Sequence, residues 1–501
     1  MNIQITSRIE RVVALVILVH DGKLDLGRHS FASSFTREDK AYLTVLLKKT
    51  PVKPGVAHVV LLPSGKQIVL LGVDAGGKFT HRKAIIAVRH TIHAARGMKI
   101  DVVQFCLNDF VVRRQRTEDI AEMIAMQCEL ANFEFNRYKT VPKEGWNSVK
   151  QIFVYSTVRG KEIGTALTRG KIIGEEINKA RALSNTPAGD MTPKTLADEA
   201  VRVGRAYGIR AKILDEGAMR KLRMGGVLGV AQGSNERPKF IIMEYMKGKK
   251  SDKPFVLVGK GVTFDSGGLN VKTGDYMNEM HMDMSGGAAV IHTLAALARL
   301  KTKANIVALV PAVENMPSGS SYRPGDVLKT MSGKTIEVNN TDAEGRVILA
   351  DALTYAQKYS PRLIVDVATL TGAAEVALGQ RASALFSTDE KISREMIAAG
   401  EETGDFVWPM PLWEEYEDDI KGTFGDVSNT GKTRYGGAIT GAVFLWQFMK
   451  KRQEDRGKGK EEIPWVHLDI APRMTSIEGD YLAKGAAGAS IALLTRFLRE
   501  F

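Results

Sequence analysis

Residues 339–346 read Asn-Asn-Thr-Asp-Ala-Glu-Gly-Arg and bring together side chains that can do chemistry. Within three positions stand the carboxylates of Asp342 and Glu344, and the guanidinium of Arg346 follows closely. Two lysines and two further acids lie upstream, on and just after an apolar run of strand length: Lys260, Asp265, Lys272 and Asp283. Four carboxylates without a histidine are typical of sites for Mg²⁺ or Mn²⁺, or for a pair of Zn²⁺ ions. The pattern therefore predicts a site for hard divalent metals.

A structural role is the alternative to a metal site, because buried carboxylates need partners. The same acids could form salt bridges with Lys260, Lys272 and Arg346. That alternative explains charge neutrality, but it does not explain why three separate glycine-rich loops carry the acids. A two-metal hydrolase uses a carboxylate shared by two cations about 3.5–4 Å apart. We therefore favour a metal-dependent hydrolase, and spacing alone leaves open a peptidase or a phosphoesterase or nuclease.

The glycine-rich stretch at residues 259–268 does not fit a phosphate-binding loop. The Walker pattern needs Gly-x-x-x-x-Gly-Lys-Ser/Thr, whereas Lys260 is followed by Gly261. Glycines permit tight backbone turns, so we expect Lys260 and Asp265 to point into one cleft.

The sequence pattern of the elements that must position these side chains predicts a layered α/β architecture in the C-terminal part of the chain. Apolar runs predict strands at residues 211–214, 240–245, 254–258, 305–312, 363–369 and 465–470. Helical spacing appears between them, notably at residues 285–300 and 346–359. Near-continuous apolar strands interleaved with helices predict a mixed, largely parallel central sheet flanked by helices. Ligands of such sheets gather beyond the carboxyl ends of the strands.

The N-terminal part of the chain shows the same alternation on a smaller scale. Strands are predicted at residues 12–19, 58–63, 67–73, 101–106 and 151–158, and helices at residues 82–96 and 117–138. We therefore expect a small N-terminal α/β domain at residues 1–160. A linker helix at 161–183 would lead to a larger α/β catalytic domain at 184–501, where Thr192 and Pro193 form a helix start.

Composition places the chain among soluble globular proteins of a reducing compartment. Only two cysteines occur in 501 residues, which excludes a disulfide framework and favours the cytoplasm. The apolar run at residues 12–19 is too short to span a bilayer and predicts a buried strand rather than an export signal or a membrane anchor. The net charge of +13 is concentrated in residues 1–165, which hold 25 lysines and arginines against 15 acids. That basic region is a weak indication of binding to nucleic acid.

Several motifs resemble the leucyl aminopeptidase family of cytosolic metallopeptidases. Asn-Thr-Asp-Ala-Glu-Gly-Arg at residues 340–346 matches the signature of that family. Further similar segments are residues 258–268 with Lys272, 280–284, 185–187, 366–373, 436–440 and 467–471. The resemblance is strong over about residues 180–501, and the N-terminal part matches in size and character more than in motifs.

The resemblance implies a dinuclear site for Mn²⁺ or Zn²⁺. Asp265 and Glu344 would bridge the two ions, and Asp342 would complete the more exchangeable site. Lys260 and Asp283 would complete the tighter one. A lysine can bind a metal only as the neutral amine, so Lys260 would have to lose its proton.

The resemblance also implies catalytic and substrate-binding roles. Lys272 would stabilise the oxyanion of the tetrahedral intermediate, and Arg346 would hold a bicarbonate ion that serves as general base. Backbone groups around Thr369, Leu370 and Gly372 would bind the main chain of the substrate. Met280 would line the pocket for the first, apolar side chain of a peptide with a free N-terminus.

The resemblance also bears on the oligomeric state and on DNA binding, and the sequence departs from the family pattern at two places. The family implies a homohexamer, and some bacterial members carry a second role in DNA binding, which the basic N-terminal domain could serve through salt-dependent contacts with a duplex. The run Ala471-Pro472-Arg473-Met474 departs from the pattern of the family, as does His281 beside Asp283. Pro472 and Arg473 leave the preference for leucine open.

Overall fold

The computed structural model describes residues 1–26, 29–112, 115–157, 160–450 and 462–501. They form two compact units. Unit 1 comprises Met1–Asn178 with Ser476–Lys484, and unit 2 comprises Lys179–Thr475 with Gly485–Phe501. No helix within these described ranges is long and apolar enough to cross a membrane.

Unit 1 is built on a six-stranded sheet. Its strands are β1 (Asn2–Thr6), β2 (Ala14–His20), β3 (Ala57–Leu61), β4 (Gln67–Val73), β5 (Val102–Cys106) and β6 (Gln151–Tyr155), in the order β1-β6-β5-β2-β4-β3. Its helices are α1 (Arg37–Lys49), α2 (His81–Gly97), α3 (Thr117–Asn132) and the first part of α4 (Lys161–Ser184). All strand pairs are parallel except β3 with β4. Residue 158 of the predicted strand at 151–158 lies outside the described residues.

Strand β2 shows why the apolar run near the N-terminus is continuous. Val16 and Leu18 belong to the core that includes residues of α2 and α3, whereas Leu15 and Ile17 belong to a core on the other face with Phe31. Successive side chains of a strand point to opposite faces, so a strand covered on both sides needs apolar residues at every position. The predicted strand at residues 12–19 is therefore confirmed, although β2 begins two residues later and ends one residue later.

Helix α3 is shorter than the predicted helix at residues 117–138. It ends at Asn132, and Phe133 is already extended. The side-chain amide of Asn132 donates to the carbonyl of Val149 at 2.8 Å and accepts from the Val149 N–H at 2.9 Å. These hydrogen bonds tie the end of the helix to the segment before β6, an interaction that helical spacing does not reveal.

Unit 2 contains a nine-stranded mixed sheet. Its strands are β7 (Arg210–Leu214), β8 (Lys239–Met246), β9 (Phe255–Gly259), β10 (Gly261–Asp265), β11 (Asn305–Asn315), β14 (Leu363–Ala368), β15 (Ser383–Ser387), β16 (Val407–Pro409) and β18 (Trp465–Asp469). The order is β16-β15-β18-β14-β9-β11-β8-β7, with β10 paired to β11. The central strands β18, β14, β9 and β11 are parallel, and β8 and β15 join them in antiparallel fashion. The predicted mixed, largely parallel sheet is confirmed.

The remaining elements of unit 2 cover this sheet or form a smaller one. The helices are the end of α4, then α5 (Pro193–Tyr207), α6 (Glu216–Lys221), α7 (Gly225–Ala231), α8 (Ser285–Arg299), α9 (Glu344–Ala356), α10 (Gly372–Leu378), α11 (Glu390–Thr403), α12 (Gly437–Trp446) and α13 (Ile491–Glu500). Strands β12 (Val327–Lys329), β13 (Thr335–Glu337) and β17 (Val427–Ser428) form a three-stranded sheet. Thr192 caps α5 and Pro193 is its first residue, as predicted.

The glycine-rich stretch after β9 is not the tight loop that the sequence indicated. Lys260 alone separates β9 from β10, and the turn with positive φ comes later, at Gly267 and Gly268. Gly259 serves close packing instead, because a Cβ there would lie 2.4 Å from the carbonyl oxygen of Gly286 near the start of α8. Gly259 therefore allows the start of α8 to approach the carboxyl end of β9.

Candidate active site

The predicted metal ligands meet at the carboxyl ends of the central strands of unit 2. Lys260 follows β9 and Asp265 ends β10, whereas Asp283 lies two residues before α8. Asp342 precedes α9, and Glu344 is its first residue. All five line one open cleft with a volume of about 680 Å³. The cleft lies where ligands bind in open α/β sheets.

Lys260 lies between two acids from different parts of the chain, Asp283 before α8 and Glu344 at the start of α9. Its Nζ is 2.7 Å from Oδ2 of Asp283 and 2.8 Å from Oε1 of Glu344. The same ammonium group donates a hydrogen bond to the carbonyl of Thr369 at 2.9 Å. Gly345 permits this approach, because a Cβ at that position would lie 2.6 Å from Cε of Lys260.

Lys272 pairs with the other two acids of the cluster. Its Nζ is 2.8 Å from Oδ2 of Asp265 and 2.5 Å from Oδ1 of Asp342. The Lys272 side chain is 14% exposed and that of Asp342 is 30% exposed, whereas the Lys260 side chain is 4% exposed. Lys272 is therefore the lysine with access to the cleft.

Burial opposes the ionised form of the four carboxylates. It raises the pKa of Asp265 to about 6, and repulsion by Glu344 adds to the effect. Burial also raises the pKa of Asp283 and that of Asp342. The pKa of Glu344 is nevertheless lowered, because the two lysines outweigh its burial. Further positive charge in the cluster would favour the ionised form of Asp265, Asp283 and Asp342.

The two lysines remain ammonium groups in this arrangement. Burial works against the charge of each one, but the surrounding carboxylates outweigh it and raise the pKa of Lys260 and that of Lys272. The cluster thus contains four carboxyl groups and two ammonium groups, so the acids outnumber the lysines that pair with them.

The residues present fit divalent metals. Carboxylate oxygens of Asp265, Asp342 and Glu344 lie within 4.8 Å of one another, and hard cations prefer oxygen ligands. Asp265 and Glu344 are fully buried, so their charges are weakly screened by water.

Arg346 does not form the salt bridge of the structural alternative. Its Nη1 donates to the carbonyl of Asn429 at 3.0 Å, and its Nε has no hydrogen-bond partner. Within the described part of the chain, no carboxylate lies within 4.0 Å of the guanidinium. Burial lowers the pKa of Arg346, although Glu344 and Asp469 act in the opposite direction. A buried cation with an unused donor beside the cleft suits an anion.

The segment from Thr369 to Gly372 forms another wall of the cleft. Thr369, the first residue of the segment, donates from Oγ1 to Oδ1 of Asp283 at 2.7 Å. Asp469, at the end of β18, accepts from the N–H of Leu370 at 3.1 Å and from Oγ1 of Thr371 at 2.7 Å. The segment is thus fixed at both ends before any peptide binds.

Apolar side chains line the cleft beside this segment. Met280 is joined there by residues that the sequence had not singled out as lining, among them Tyr276, Val376, Ala471 and Met474. Ala471 and Met474 flank Pro472 and Arg473, where the sequence departs from the family pattern. That departure was the sequence signal that could have identified Ala471 and Met474 as lining residues. Pro472 itself is buried, and Arg473 donates to the carbonyl of Arg381 at 3.3 Å.

Comparison with known proteins identifies the class to which this fold and site belong. The family model described as the catalytic domain of the cytosol aminopeptidase family matches residues 178–495, and the model of its N-terminal domain matches residues 30–142. A probable cytosol aminopeptidase of Methylobacillus flagellatus is 38% identical over 94% of this chain and 93% of its own length. One of Aromatoleum aromaticum is 42% identical over 92% and 88%.

Solved structures are similar to this chain over nearly its whole length. A tomato leucine aminopeptidase mutant superimposes with a TM-score of 0.85 at 30% identity, covering 100% of this chain and 97% of its own. The bottromycin maturation enzyme BotP in complex with Mn gives 0.82 at 28% identity, covering 98% and 99%.

The chain belongs to the cytosol aminopeptidase family. It is a peptidase, a hydrolase of the aminopeptidase class, and the family together with the Mn complex implies dependence on divalent metal.

Proposed function

We propose that this chain is a two-metal aminopeptidase that removes apolar N-terminal residues such as leucine from peptides. The observation that carries the proposal is the cluster of four acids around Lys260 and Lys272, with the guanidinium of Arg346 beside it, whose Nε has no hydrogen-bond partner. Both features lie on one open cleft with a volume of about 680 Å³.

The metal assignment follows the family resemblance, and the proximity of Asp265, Asp342 and Glu344 supports it. Asp265 and Glu344 would hold both ions, and Asp342 would complete the more exchangeable site. Lys260 and Asp283 would complete the other site, and Lys260 would have to give up the proton that it carries among the acids in order to bind the ion. When bound, two ions of Mn²⁺ or Zn²⁺ supply Lewis-acid chemistry, which polarises the scissile carbonyl and acidifies the attacking water. The burial of the cluster excludes competing water and strengthens these electrostatic interactions.

Lys272 and Arg346 would act on the reacting groups. The ammonium of Lys272 would stabilise negative charge on the carbonyl oxygen of the substrate, because it is positively charged and reaches the cleft. Arg346 would bind bicarbonate, whose oxygens provide the chemistry of a general base. The unpaired Nε and the lack of a carboxylate partner in the described residues support an anion there.

The substrate would lie along the segment from Thr369 to Gly372. Backbone groups around Thr369, Leu370 and Gly372 would bind its main chain. Met280 and the neighbouring apolar residues would receive the first side chain, which supports a preference for leucine and similar residues.

The setting of the enzyme is proposed from its relatives. Their names and the two buried, free cysteines support a cytoplasmic location. A homohexamer rests on the family resemblance alone, and so does the alternative role in DNA binding, for which the basic charge of residues 1–165 is the supporting observation.

Hydrolysis of leucine p-nitroanilide tests the proposal. We expect turnover after addition of Mn²⁺ or Zn²⁺, loss of turnover with a chelator, and recovery when the metal is restored. The N-acetylated substrate is the matched control, because it keeps the scissile bond and removes the free amino group. Turnover that resists the chelator, or equal cleavage of both substrates, would contradict the proposal.

A further inference from the structure

Asn315 is a fully buried amide at the carboxyl end of β11 that lies beside the acidic cluster without belonging to it. Its Nδ2 donates two hydrogen bonds, one to Oδ1 of Asp265 and one to the carbonyl of Thr341, each at 2.9 Å. Its own Oδ1 has no hydrogen-bond partner. An unsatisfied buried carbonyl is costly, so the side chain is present for its two donors.

The first hydrogen bond sets the direction of the Asp265 carboxylate. Oδ1 of Asp265 accepts from Asn315 and from the N–H of Gly267 at 2.9 Å. Its other oxygen, Oδ2, is left to face the cleft, where it lies 2.8 Å from Nζ of Lys272. Two neutral donors on one oxygen thus aim the second oxygen at the metal-binding side.

The second hydrogen bond holds the loop that carries Asp342. The carbonyl of Thr341 accepts from Asn315 and from the hydroxyl of Tyr322 at 2.7 Å. Oγ1 of Thr341 in turn donates to the carbonyl of Gly267 at 2.6 Å. Asp265 ends β10 and Asp342 lies in the loop before α9, and one amide group connects these two segments.

We infer that Asn315 is a positioning residue that fixes the spacing between Asp265, at the end of β10, and the loop of Asp342 for metal binding. The inference deepens the proposed function and rests on it. Outer partners that orient metal ligands are typically worth about 10- to 100-fold in metal affinity. The effect of Asn315 should be largest for the more weakly bound ion, because both acids that Asn315 positions, Asp265 and Asp342, would hold that ion, whereas only Asp265 would also hold the other.

Replacement of Asn315 should leave the fold intact. Its backbone carbonyl accepts from the N–H of Ser266 at 3.1 Å and from Oγ of Ser266 at 2.7 Å, and neither contact uses the side chain. After replacement, Asp265 keeps the Gly267 donor and Thr341 keeps the Tyr322 donor. Asn315→Ala removes the amide, and Asn315→Leu removes both donors while it keeps the volume.

The same strand offers a matched control. Asn305 is a buried amide at the first residue of β11, and its Nδ2 also donates to two oxygens, the carbonyls of Lys249 at 2.8 Å and Asp252 at 3.0 Å. Oδ1 of Asn305 also accepts from the N–H of Gly248 at 3.0 Å. Asn305→Ala therefore removes two comparable donor hydrogen bonds and this third one at the opposite end of the strand, away from the cleft.

Calorimetric titration of the chelator-treated full chain with Mn²⁺ tests the inference. We expect Asn315→Ala and Asn315→Leu to raise the Kd of the weaker ion by about 10- to 100-fold, and Asn305→Ala to leave it unchanged. Tm in the presence of chelator reports the fold of each variant without metal.

The outcomes separate the inference from the proposed function. Wild-type affinity in both Asn315 variants would overturn the positioning role, and so would an equal loss of affinity in Asn305→Ala. If the wild type itself bound no Mn²⁺, the proposed function would fail. If Asn315→Ala did not fold, Asn315→Leu would decide, because it retains the packing.

Discussion

The two lysines of the cluster differ in burial, and this difference separates their roles. Lys260 is enclosed by Asp283, Glu344 and the carbonyl of Thr369. Lys272 is more exposed and lies with Asp342 at the open side of the cleft. A substrate carbonyl can therefore approach Lys272, whereas Lys260 is confined to the interior of the cluster.

Replacement of Lys272 by methionine should affect catalysis more than metal binding. Removal of one donor to a developing oxyanion typically lowers kcat by about 100- to 1000-fold. We expect Lys272→Met to show such a loss in leucine p-nitroanilide hydrolysis while its Mn²⁺ content stays at the wild-type level. Lys253→Met, at an exposed lysine, is the control. A kcat close to wild type would exclude Lys272 from the reaction.

The residue types of the site were predictable, but their pairing was not. Lys260, Asp265, Glu344 and Arg346 stand at strand ends and helix starts that apolar periodicity locates well. Which acid each lysine contacts depends on three loops that are far apart in sequence. Asn315 was missed because the predicted strand stopped at residue 312, whereas β11 continues to Asn315.

At the scale of elements, helix α9 carries both Glu344 and Arg346, and Asp351 anchors it. The carboxylate of Asp351 accepts from the N–H of Val227 at 3.0 Å and from the N–H of Met331 at 2.7 Å. Burial raises the pKa of Asp351 to about 7, against the opposing effect of these backbone hydrogen bonds. The hydrogen bonds that hold α9 in place are thus made by the Asp351 carboxyl group, whose pKa is raised.

The pH dependence of stability should reveal Asp351. Its pKa is higher in the folded than in the unfolded chain, so the folded state holds the proton more tightly and loses stability as pH rises from about 4 to about 7. Asp351→Asn cannot titrate. We expect its Tm deficit relative to the wild type to shrink as pH rises through that window and to stay constant above it. A deficit that is independent of pH would contradict the raised pKa.

Strand positions in unit 2 followed from the sequence, but strand directions did not. Predicted runs at residues 240–245 and 254–258 became β8 and β9, although β8 is antiparallel to β11 and β9 is parallel to it. Direction depends on how each connection crosses the sheet, and apolar periodicity carries no information about it. Strand β10 is absent from the predicted strands, because the glycines at residues 259–268 indicate turns. Gly261, its first residue, serves close packing instead, since a Cβ there would lie 2.6 Å from Cγ1 of Val310.

At the scale of the whole molecule, the chain combines a basic N-terminal region with a catalytic unit that contains every proposed site residue. Ser476–Lys484 belongs to unit 1 although it lies near the C-terminus, which no local sequence pattern indicated. The hexamer and the DNA-binding role stay predictions, because they depend on surfaces that only a partner would define.

The number of metal ions held by the whole chain tests the central claim most directly. Native mass spectrometry after loading with Mn²⁺ should show two ions per wild-type chain and full aminopeptidase activity. Glu344→Gln should lose both metal and activity, because one carboxylate would serve both ions. Glu375→Gln is the matched control, since Glu375 lines the same cleft but stands outside the cluster. Two ions in Glu344→Gln, or a wild-type chain that is fully active with none, would contradict the account.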